Sequence, residues 1–285
     1  MHLLVRDTRT LDEAEPAFDI GAGRADLVFL SFSDSDLGSW ASAWTRQAGE
    51  VPSKQAPSLK LANLARLRHP LSVDLLVEQV IEQARCVVIR LLGGLEYWRY
   101  GVDEVAAACR RRGIALALVP GDGPDDARLA ALSTIEPALL TRMDGFLRQG
   151  GPRNTGHALD LAAHLAGLAH DGGATPEMLP EAGLYALPGL QAADRPRAVI
   201  VFYRSHLASG DTQPITALAE ALFARGLSVE AVFASSLKEP RAAAFVAGHL
   251  RDTQPAVVLG ATAFSARGPD TVSYTHLTLP TIYSV

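Results

Sequence analysis

Residues 87–100, VVIRLLGGLEYWRY, decide the fold of this chain. They begin inside an almost uninterrupted apolar run, 86–92, in which Arg90 is the only polar side chain, and such a run predicts a strand buried on both faces of a parallel sheet. The run ends at Gly93–Gly94, where the backbone can turn because neither residue carries a Cβ. A helical pattern follows over 102–112. We therefore expect a strand, a glycine turn with a short loop, and a helix.

The loop after this strand is the first candidate ligand site. In open parallel sheets, ligands bind outside the carboxyl ends of the strands. Aromatic rings and a guanidinium at that place suit a flat, conjugated, partly anionic ligand, through stacking and bidentate carboxylate contacts. The alternative, equally open, is that the aromatic side chains merely cap the core of the sheet. The candidate binding residues are Gly93, Gly94, Tyr97, Trp98, Arg99 and Tyr100.

Length and composition are those of an ordinary soluble globular protein. The 285 residues suffice for about two domains. With 48% hydrophobic residues and a net charge of −5, nothing indicates a nucleic acid as partner. No apolar run approaches the roughly 18 to 20 residues that span a bilayer, and the N-terminus lacks a signal-peptide pattern. Cys86 and Cys109 form no paired motif, so we expect a cytoplasmic protein that does not act at membranes.

Alternating strands and helices predict a first α/β domain over residues 1–124. Besides the strand at 86–92, strands are expected at 3–5, 26–32 and 114–119, while 59–64 satisfies either a strand or a helix. Helical patterns follow Asp34 and Ser72. Because the strands are apolar on both sides, we expect helices on both faces of a parallel sheet.

Residues 125–196 lack strand patterns and are predicted to be a helical segment followed by an irregular linker. The best helices cover 137–147 and 155–169, and Gly-, Pro- and Ala-rich residues follow at 171–196. His157, Asp160 and His164 share one helix face, but histidines seven residues apart do not easily meet one ion. An exposed helix face explains them better, and we predict no metal site.

The start of a second α/β domain, truncated, is predicted over residues 197–271. Its strands are expected at 198–203, 227–233 and 256–259, and its helices at 214–225 and 240–250. The fold class is therefore α/β, with two Rossmann-like parallel-sheet domains joined by the helical and irregular segment.

Two loops of the second domain complete the set of candidate binding residues. The loop 204–212 leads into a helix N-terminus, where free backbone N–H groups attract anions. Asp211 is expected to cap that helix rather than to do chemistry. The candidates in these loops are Tyr203, Arg204, Ser209, Gly210, Asp211, Ser235, Ser236 and Lys238.

Several sequence motifs that are typical of particular enzyme activities are absent. The sequence contains no GxGxxG after a strand and no GxxxxGK[ST], so we do not expect ATP to bind through a P-loop. It also contains no GxSxG, no HExxH and no cysteine cluster. Composition and motifs alone therefore predict a two-domain α/β protein with a ligand cleft and indicate no particular activity.

Four stretches resemble a known family, the large subunit of the aerobic, ATP-dependent cobaltochelatase. They are 56–78 (APSLKLANLARLRHPLSVDLLVE), 90–105 (RLLGGLEYWRYGVDEV), 199–227 (VIVFYRSHLASGDTQPITALAEALFARGL) and 232–240 (VFASSLKEP). The resemblance runs in order from the start to about residue 264. The family protein is on the order of four times longer, which implies that this chain is an N-terminal fragment.

The resemblance implies a subunit that binds hydrogenobyrinic acid a,c-diamide, with cobalt as a substrate ion. ATP and Mg²⁺ would be used by two smaller AAA+ partner subunits, in agreement with the missing P-loop. The catalytic residues are expected outside this fragment, which alone should be inactive. The large subunit of magnesium chelatase is a related alternative, and a non-enzymatic α/β ligand-binding module is another. Residues 272–285, VSYTHLTLPTIYSV, resemble a translated sequencing adapter and are predicted to be a non-native tail.

Overall fold

A computed structural model describes residues 17–21, 23–50, 56–121 and 126–262. These residues form two compact units: a first unit up to Met178 and a second unit from Leu179 onward. The strand predicted at 3–5 and the tail predicted at 272–285 lie outside the described residues.

The first unit contains a four-stranded sheet in which all pairings are parallel, as predicted. The order across the sheet is β2-β1-β3-β4. The segment that satisfied either a strand or a helix is strand β2, which runs directly into a 3-10 turn, Leu64–Arg66. The strands are β1 Leu27–Ser31, β2 Leu59–Asn63, β3 Cys86–Leu91 and β4 Ala115–Pro120.

Both faces of this sheet are buried, because alternate residues of each strand enter two separate cores. Val28 and Ile89 lie in one core, and Phe29 and Val88 lie in the other. Burying both faces of a strand stabilises it by removing apolar area from water at about 25 cal/mol per Å². Burial on both faces is the reason why these strands appear in the sequence as nearly continuous apolar runs.

In the described part of the first unit, six α-helices cover the sheet. They are α1 Asp34–Glu50, α2 Pro70–Gln79, α3 Arg99–Arg112, α4 Ala127–Leu132, α5 Pro137–Gln149 and α6 Gly151–Leu165. One face is covered by α2, α3 and α4, and the other by α1, α5 and α6.

Helices α5 and α6 therefore belong to the first unit, although their segment was predicted to connect two domains. Phe146 of α5 and Leu159 of α6 are buried in the same core as Phe29. That face of the sheet needs more cover than α1 alone supplies. Sequence periodicity finds such helices but does not show which sheet they cover.

The second unit contains a four-stranded mixed sheet with the order β5-β7-β6-β8. Strands β6, β7 and β8 are parallel, as predicted, whereas β5 pairs antiparallel with β7 and lies in the segment predicted to be irregular. Gly183 of β5 permits this pairing, because a Cβ there would approach Phe233 Cζ to 2.8 Å. The strands are β5 Ala182–Tyr185, β6 Arg197–Tyr203, β7 Ser228–Ala234 and β8 Val257–Ala261.

Two longer helices cover opposite faces of the second sheet. Helix α8, Gln213–Ala224, buries Ile215 in one core, and α9, Pro240–Thr253, buries Val246 in the other. The residues after β6 were predicted to be a loop, which is wrong: Arg204–Ser209 form a short helix, α7. Six residues are too few to show a helical period, and Gly210 ends the helix with a φ of 71°.

The two cysteines are buried free thiols in the first unit. Burial raises the pKa of both the Cys86 and the Cys109 thiol to about 12. Both therefore behave as small apolar side chains of the core, and neither is a thiolate at neutral pH.

Replacing Gly101 by alanine should destabilise the first unit. A Cβ on Gly101 would lie 2.1 Å from Trp98 Cε2, so the buried indole would have to move. We expect the free energy of unfolding to fall by about 1–3 kcal/mol. The matched control is Gly38→Ala in helix α1, where a Cβ meets nothing within 4 Å. It should raise stability by about 0.5–1 kcal/mol, because alanine favours a helix over glycine. Equal urea midpoints for the two variants would contradict the packing of Trp98 against Gly101.

Candidate functional site

The carboxyl edge of the first sheet has a topological switch point between β1 and β3. The chain goes from β1 to β2 on one side, and then uses β3 and β4 on the other side. The loops that leave β1 and β3 therefore diverge, which opens a crevice where ligands of this sheet class bind. The segment predicted from the sequence, Gly93–Tyr100, leaves β3 at this crevice.

Gly93 and Gly94 turn the chain, as predicted. Their φ angles are 77° and 74°, values that side-chain-bearing residues rarely adopt. The residues that follow are not a loop, however. Leu95–Trp98 form a 3-10 turn, and Arg99 already begins α3. The four candidate side chains of this segment therefore point in successive directions around a helical turn rather than all toward one ligand.

Trp98 is buried, and its ring is not available for stacking in this structure. Only 4% of the residue is exposed, and its indole N–H donates a hydrogen bond to the Leu67 carbonyl at 2.7 Å. The ring lies in the same core as Val102 and Leu129. For Trp98, the alternative of a side chain that caps the core is the one that the geometry favours.

Tyr97 is exposed at the rim of the crevice, with 53% of its surface accessible. Its ring meets Phe32 edge-on, with the ring centroids 4.9 Å apart. Arg68 lies over the ring, 5.0 Å from the centroid, and donates a hydrogen bond to the Tyr97 hydroxyl at 2.7 Å. Arg68 was not among the predicted site residues, because its proximity to Tyr97 follows only from the placement of β2 and β3 in one sheet.

Arg99 and Tyr100 are exposed but already have partners within the chain. Arg99 pairs with Asp103 at 2.8 Å and with Glu96 at 3.3 Å. Tyr100 donates a hydrogen bond to Asp74 at 2.7 Å, and this bond raises the pKa of its phenol to about 12. Both side chains could meet a ligand, since surface ion pairs of this kind cost little to exchange.

An ion pair that the sequence did not suggest closes the floor of the crevice. Arg90, at the end of β3, meets Asp36 of α1 at 2.8 Å, and both side chains are more than four-fifths buried. The Ser31 hydroxyl donates to the other Asp36 oxygen at 2.7 Å. Arg90 also donates to the Gly121 carbonyl at 3.4 Å, whereas its Nε is buried without a partner in the described part of the chain. The pair ties the end of β3 to helix α1, which follows β1.

Breaking this pair should cost more than breaking an exposed one. Arg90→Met leaves the Asp36 carboxylate buried without a cation, and we expect the free energy of unfolding to fall by about 3 kcal/mol. The double variant Arg90→Met/Asp36→Leu should recover much of that loss, because no unpaired charge remains. Arg99→Met, which opens an exposed pair, is the control and should cost less than about 1 kcal/mol. Urea unfolding measures all three, and a similar cost for Arg90→Met and Arg99→Met would refute the role of Arg90.

At the second sheet, Tyr203 ends β6 and Arg204 begins α7. The Arg204 guanidinium turns back to the chain before β5, where it donates to the Leu179 carbonyl at 2.9 Å and to the Pro180 carbonyl at 3.0 Å. In this structure it therefore holds a backbone segment of its own unit.

Ser209, Gly210 and Asp211 lie at the turn between α7 and α8. The Ser209 hydroxyl donates to the His206 carbonyl at 3.3 Å, and the Asp211 carbonyl is 3.0 Å from His206 Nδ1. The prediction that Asp211 caps the next helix is wrong. Thr212 is the N-cap of α8, and no side-chain bond caps that helix.

Ser235, Ser236 and Lys238 follow β7, which is the parallel neighbour of β6. Both loops of the second unit thus lie at one carboxyl edge, because β6 and β7 are adjacent parallel strands. The Ser236 hydroxyl accepts a hydrogen bond from the Lys238 amide at 3.1 Å. The Ser235 hydroxyl oxygen is buried and has no partner among the described residues, while the Lys238 side chain is exposed.

Two features are absent from the described ranges. No group of three or more His, Cys, Asp or Glu residues there could hold a metal ion. His157 lies 3.7 Å from Asp160, while the ring of His164 approaches the Ala169 carbonyl instead. Among those same residues, no helix combines the length and the apolar character that crossing a membrane requires.

Comparison with known proteins identifies the chain's relatives. Residues 144–281 match a family model described as CobN/Magnesium Chelatase, and the match overlaps the predicted tail. Over 94% of this chain, the sequence is 34% identical to an aerobic cobaltochelatase subunit CobN from Sinorhizobium sp. Over 86% of this chain, it is 35% identical to the protein of that name from Pseudomonas aeruginosa. It spans 22% and 20% of those two relatives, about a fifth of their length.

A solved structure agrees with these relatives. The catalytic subunit of cobaltochelatase from Mycobacterium tuberculosis aligns with 79% of this chain at a TM-score of 0.61 and 26% identity, and the alignment covers 18% of that subunit. The family resemblance that the sequence predicted is thereby confirmed. The chain belongs to the CobN/magnesium chelatase family of metal chelatase subunits.

Proposed function

We propose that this chain is the N-terminal part of the large, ring-binding subunit of a cytoplasmic, multisubunit cobaltochelatase. This enzyme, a ligase that forms nitrogen–metal bonds, inserts cobalt into hydrogenobyrinic acid a,c-diamide during cobalamin synthesis. The observation that carries the proposal is the similarity to cobaltochelatase subunits across 94% of the chain. The described residues, which carry no P-loop sequence, are consistent with ATP and Mg²⁺ being used by two smaller AAA+ partner subunits.

The carboxyl edge of the first sheet is the proposed contact with the ring. Hydrogenobyrinic acid a,c-diamide is a large conjugated macrocycle with carboxylates and amides at its periphery. The exposed ring of Tyr97 can stack on such a ligand, and Arg99 can exchange its surface partners for a substrate carboxylate. Gly93 and Gly94 allow close approach of the backbone. Trp98 has a supporting role, since it is buried beneath these residues.

The loops at the carboxyl edge of the second sheet are a further proposed substrate contact. Ser235 contributes a buried hydroxyl oxygen without a protein partner in the described residues, and Lys238 contributes an exposed ammonium. Such groups suit the amides and carboxylates of a macrocyclic ligand. The other members of this proposed set are Tyr203, Arg204, Ser209, Gly210, Asp211 and Ser236.

The chemical step is proposed to take place elsewhere in the full-length subunit. Inserting cobalt into the ring requires a base that accepts the pyrrole protons and a group that delivers the ion. The titratable groups at the edge of the first sheet are engaged in ion pairs or hydrogen bonds instead, for example Asp36 with Arg90 and Asp74 with Tyr100. Cobalt is therefore a substrate of the whole enzyme, and this chain by itself should insert no metal.

Magnesium chelatase is the second candidate function, because the matching family model covers both enzymes. The two activities differ in ring and in metal: a flexible, carboxylate-rich corrin precursor with cobalt, or flat protoporphyrin with magnesium. The preference of the chain for one ring over the other distinguishes them.

The proposal predicts that the chain binds hydrogenobyrinic acid a,c-diamide more tightly than protoporphyrin. Quenching of tryptophan fluorescence measures both affinities. Tyr97→Ala/Arg99→Ala should weaken binding of the corrin precursor by about tenfold to a hundredfold, through loss of a stacked ring and a charged hydrogen bond. The control is Trp98→Phe, which removes the buried N–H bond to Leu67. It should lower the melting temperature and weaken ring binding less than the double variant does, because Trp98 supports the exposed side chains without contacting the ring itself. A preference for protoporphyrin would favour magnesium chelatase, and binding of neither ring would refute the proposal.

A further inference from the structure

Two exposed arginines lie at the carboxyl edge of the first sheet: Arg66 ends the 3-10 turn after β2, and Arg68 lies two residues beyond it. Each guanidinium lies over an aromatic ring. Arg66 is 5.4 Å from the centroid of Phe18, and Arg68 is 5.0 Å from Tyr97 and 6.0 Å from Phe32. A guanidinium held face-on to a ring still presents its edge, where its N–H groups point outward.

Within the described ranges, neither arginine forms an ion pair, and this distinguishes them from the other arginines of the same edge. Arg90 pairs with Asp36, Arg99 with Asp103, and Arg128 with Asp126 and Glu96. The single bond that orients Arg68 is to a neutral phenol, the hydroxyl of Tyr97. The positive charge of the two arginines is therefore oriented by aromatic side chains but not neutralised by a carboxylate.

Arg66 also borders a surface cleft of about 470 Å³ beside strand β2 and the start of helix α1. Phe18 and Leu37 contribute apolar walls, and Asn63 contributes an amide. Asp34, the one carboxylate among the described residues that line the cleft, accepts a hydrogen bond from Asn63 at 2.7 Å. Lys60, also in the lining, donates to the Gly21 carbonyl. With two cations against one anion, the cleft favours an anionic ligand with an apolar body.

We propose that Arg66 and Arg68 bind the peripheral carboxylates of the macrocycle, while Phe18, Phe32 and Tyr97 hold the two guanidinium planes in place. This inference rests on the proposed function and adds to it the residues that recognise the charge of the substrate. A planar guanidinium forms two parallel hydrogen bonds to a carboxylate, a geometry that an ammonium cannot reproduce. The ligand class is thus a conjugated ring bearing several free carboxylates on flexible side chains.

The test compares ring binding by the chain and by Arg66→Gln/Arg68→Gln. The probes are hydrogenobyrinic acid a,c-diamide and its methyl ester, in which no carboxylate is free, and the readout is tryptophan quenching. For the free acid, we expect the double variant to bind about tenfold more weakly than the parent chain. For the ester, the two proteins should bind equally. The matched control is Arg225→Gln/Arg251→Gln, which removes the same charge from exposed helix arginines of the second unit and should not change either affinity.

The outcomes separate this inference from the proposed function. Equal affinity of the parent chain and the double variant for the free acid would overturn the role of the two arginines and leave ring binding intact. Absence of binding by the parent chain would overturn both. If the double variant melts early, Arg66→Lys/Arg68→Lys replaces it, since lysine keeps the charge and loses the planar fork. An intermediate loss with the lysine pair supports the inference, and affinity equal to that of the parent chain contradicts it.

Discussion

The buried indole of Trp98 is the interaction on which the carboxyl edge of the first sheet depends. Its N–H bond to Leu67 joins the segment after β3 to the segment after β2. The segment after β3 carries Tyr97, and the segment after β2 carries Arg68. These two side chains form a separate, exposed hydrogen bond. Gly101 completes the arrangement, because any larger residue would fill the space that the indole occupies. Burial of one side chain thus positions the exposed groups on either side of it.

The arginines at this edge have two different roles, one structural and one in the proposed binding of the ligand. Arg90 is mostly buried and paired with Asp36, so its charge stabilises the switch point of the sheet. Binding a ligand through Arg90 would break this buried pair at a high cost in free energy. Arg66 and Arg68 are exposed, and they lie over aromatic rings rather than beside carboxylates. The first kind holds the crevice in shape, and the second kind gives its rim a positive charge that a ligand can use.

The sequence predicted most of the strands and helices, because buried strands appear in it as local runs of apolar residues. The run before Gly93 is apolar since β3 lies in the centre of the sheet with a core on each side, and the positive φ angles follow from the glycine pair. The sequence could not predict the surroundings of Trp98. A single turn of 3-10 helix is too short to show a helical period in the sequence. The burial of Trp98 depends on Leu67 and Gly101, which contact it only in the folded chain.

Long-range pairs were beyond the reach of the sequence for the same reason. Arg90 looked like an interruption of an apolar strand, and only the sheet order brings it to Asp36, 54 positions earlier. Arg68 and Tyr97 are 29 positions apart and meet because their strands end at the same edge. Strand β5 carries a short, glycine-containing pattern, so its antiparallel pairing with β7 also appears only in the fold.

The central claim is that the macrocycle binds at the carboxyl edge of the first sheet. The most direct test is to titrate the ¹⁵N-labelled chain with hydrogenobyrinic acid a,c-diamide and follow the backbone amide signals by NMR. We expect shifts or broadening at Arg66, Arg68 and Tyr97 and none at Gly113, which precedes β4 at the opposite edge. Perturbations confined to that opposite edge or to the second unit, with Arg68 and Tyr97 unchanged, would contradict it.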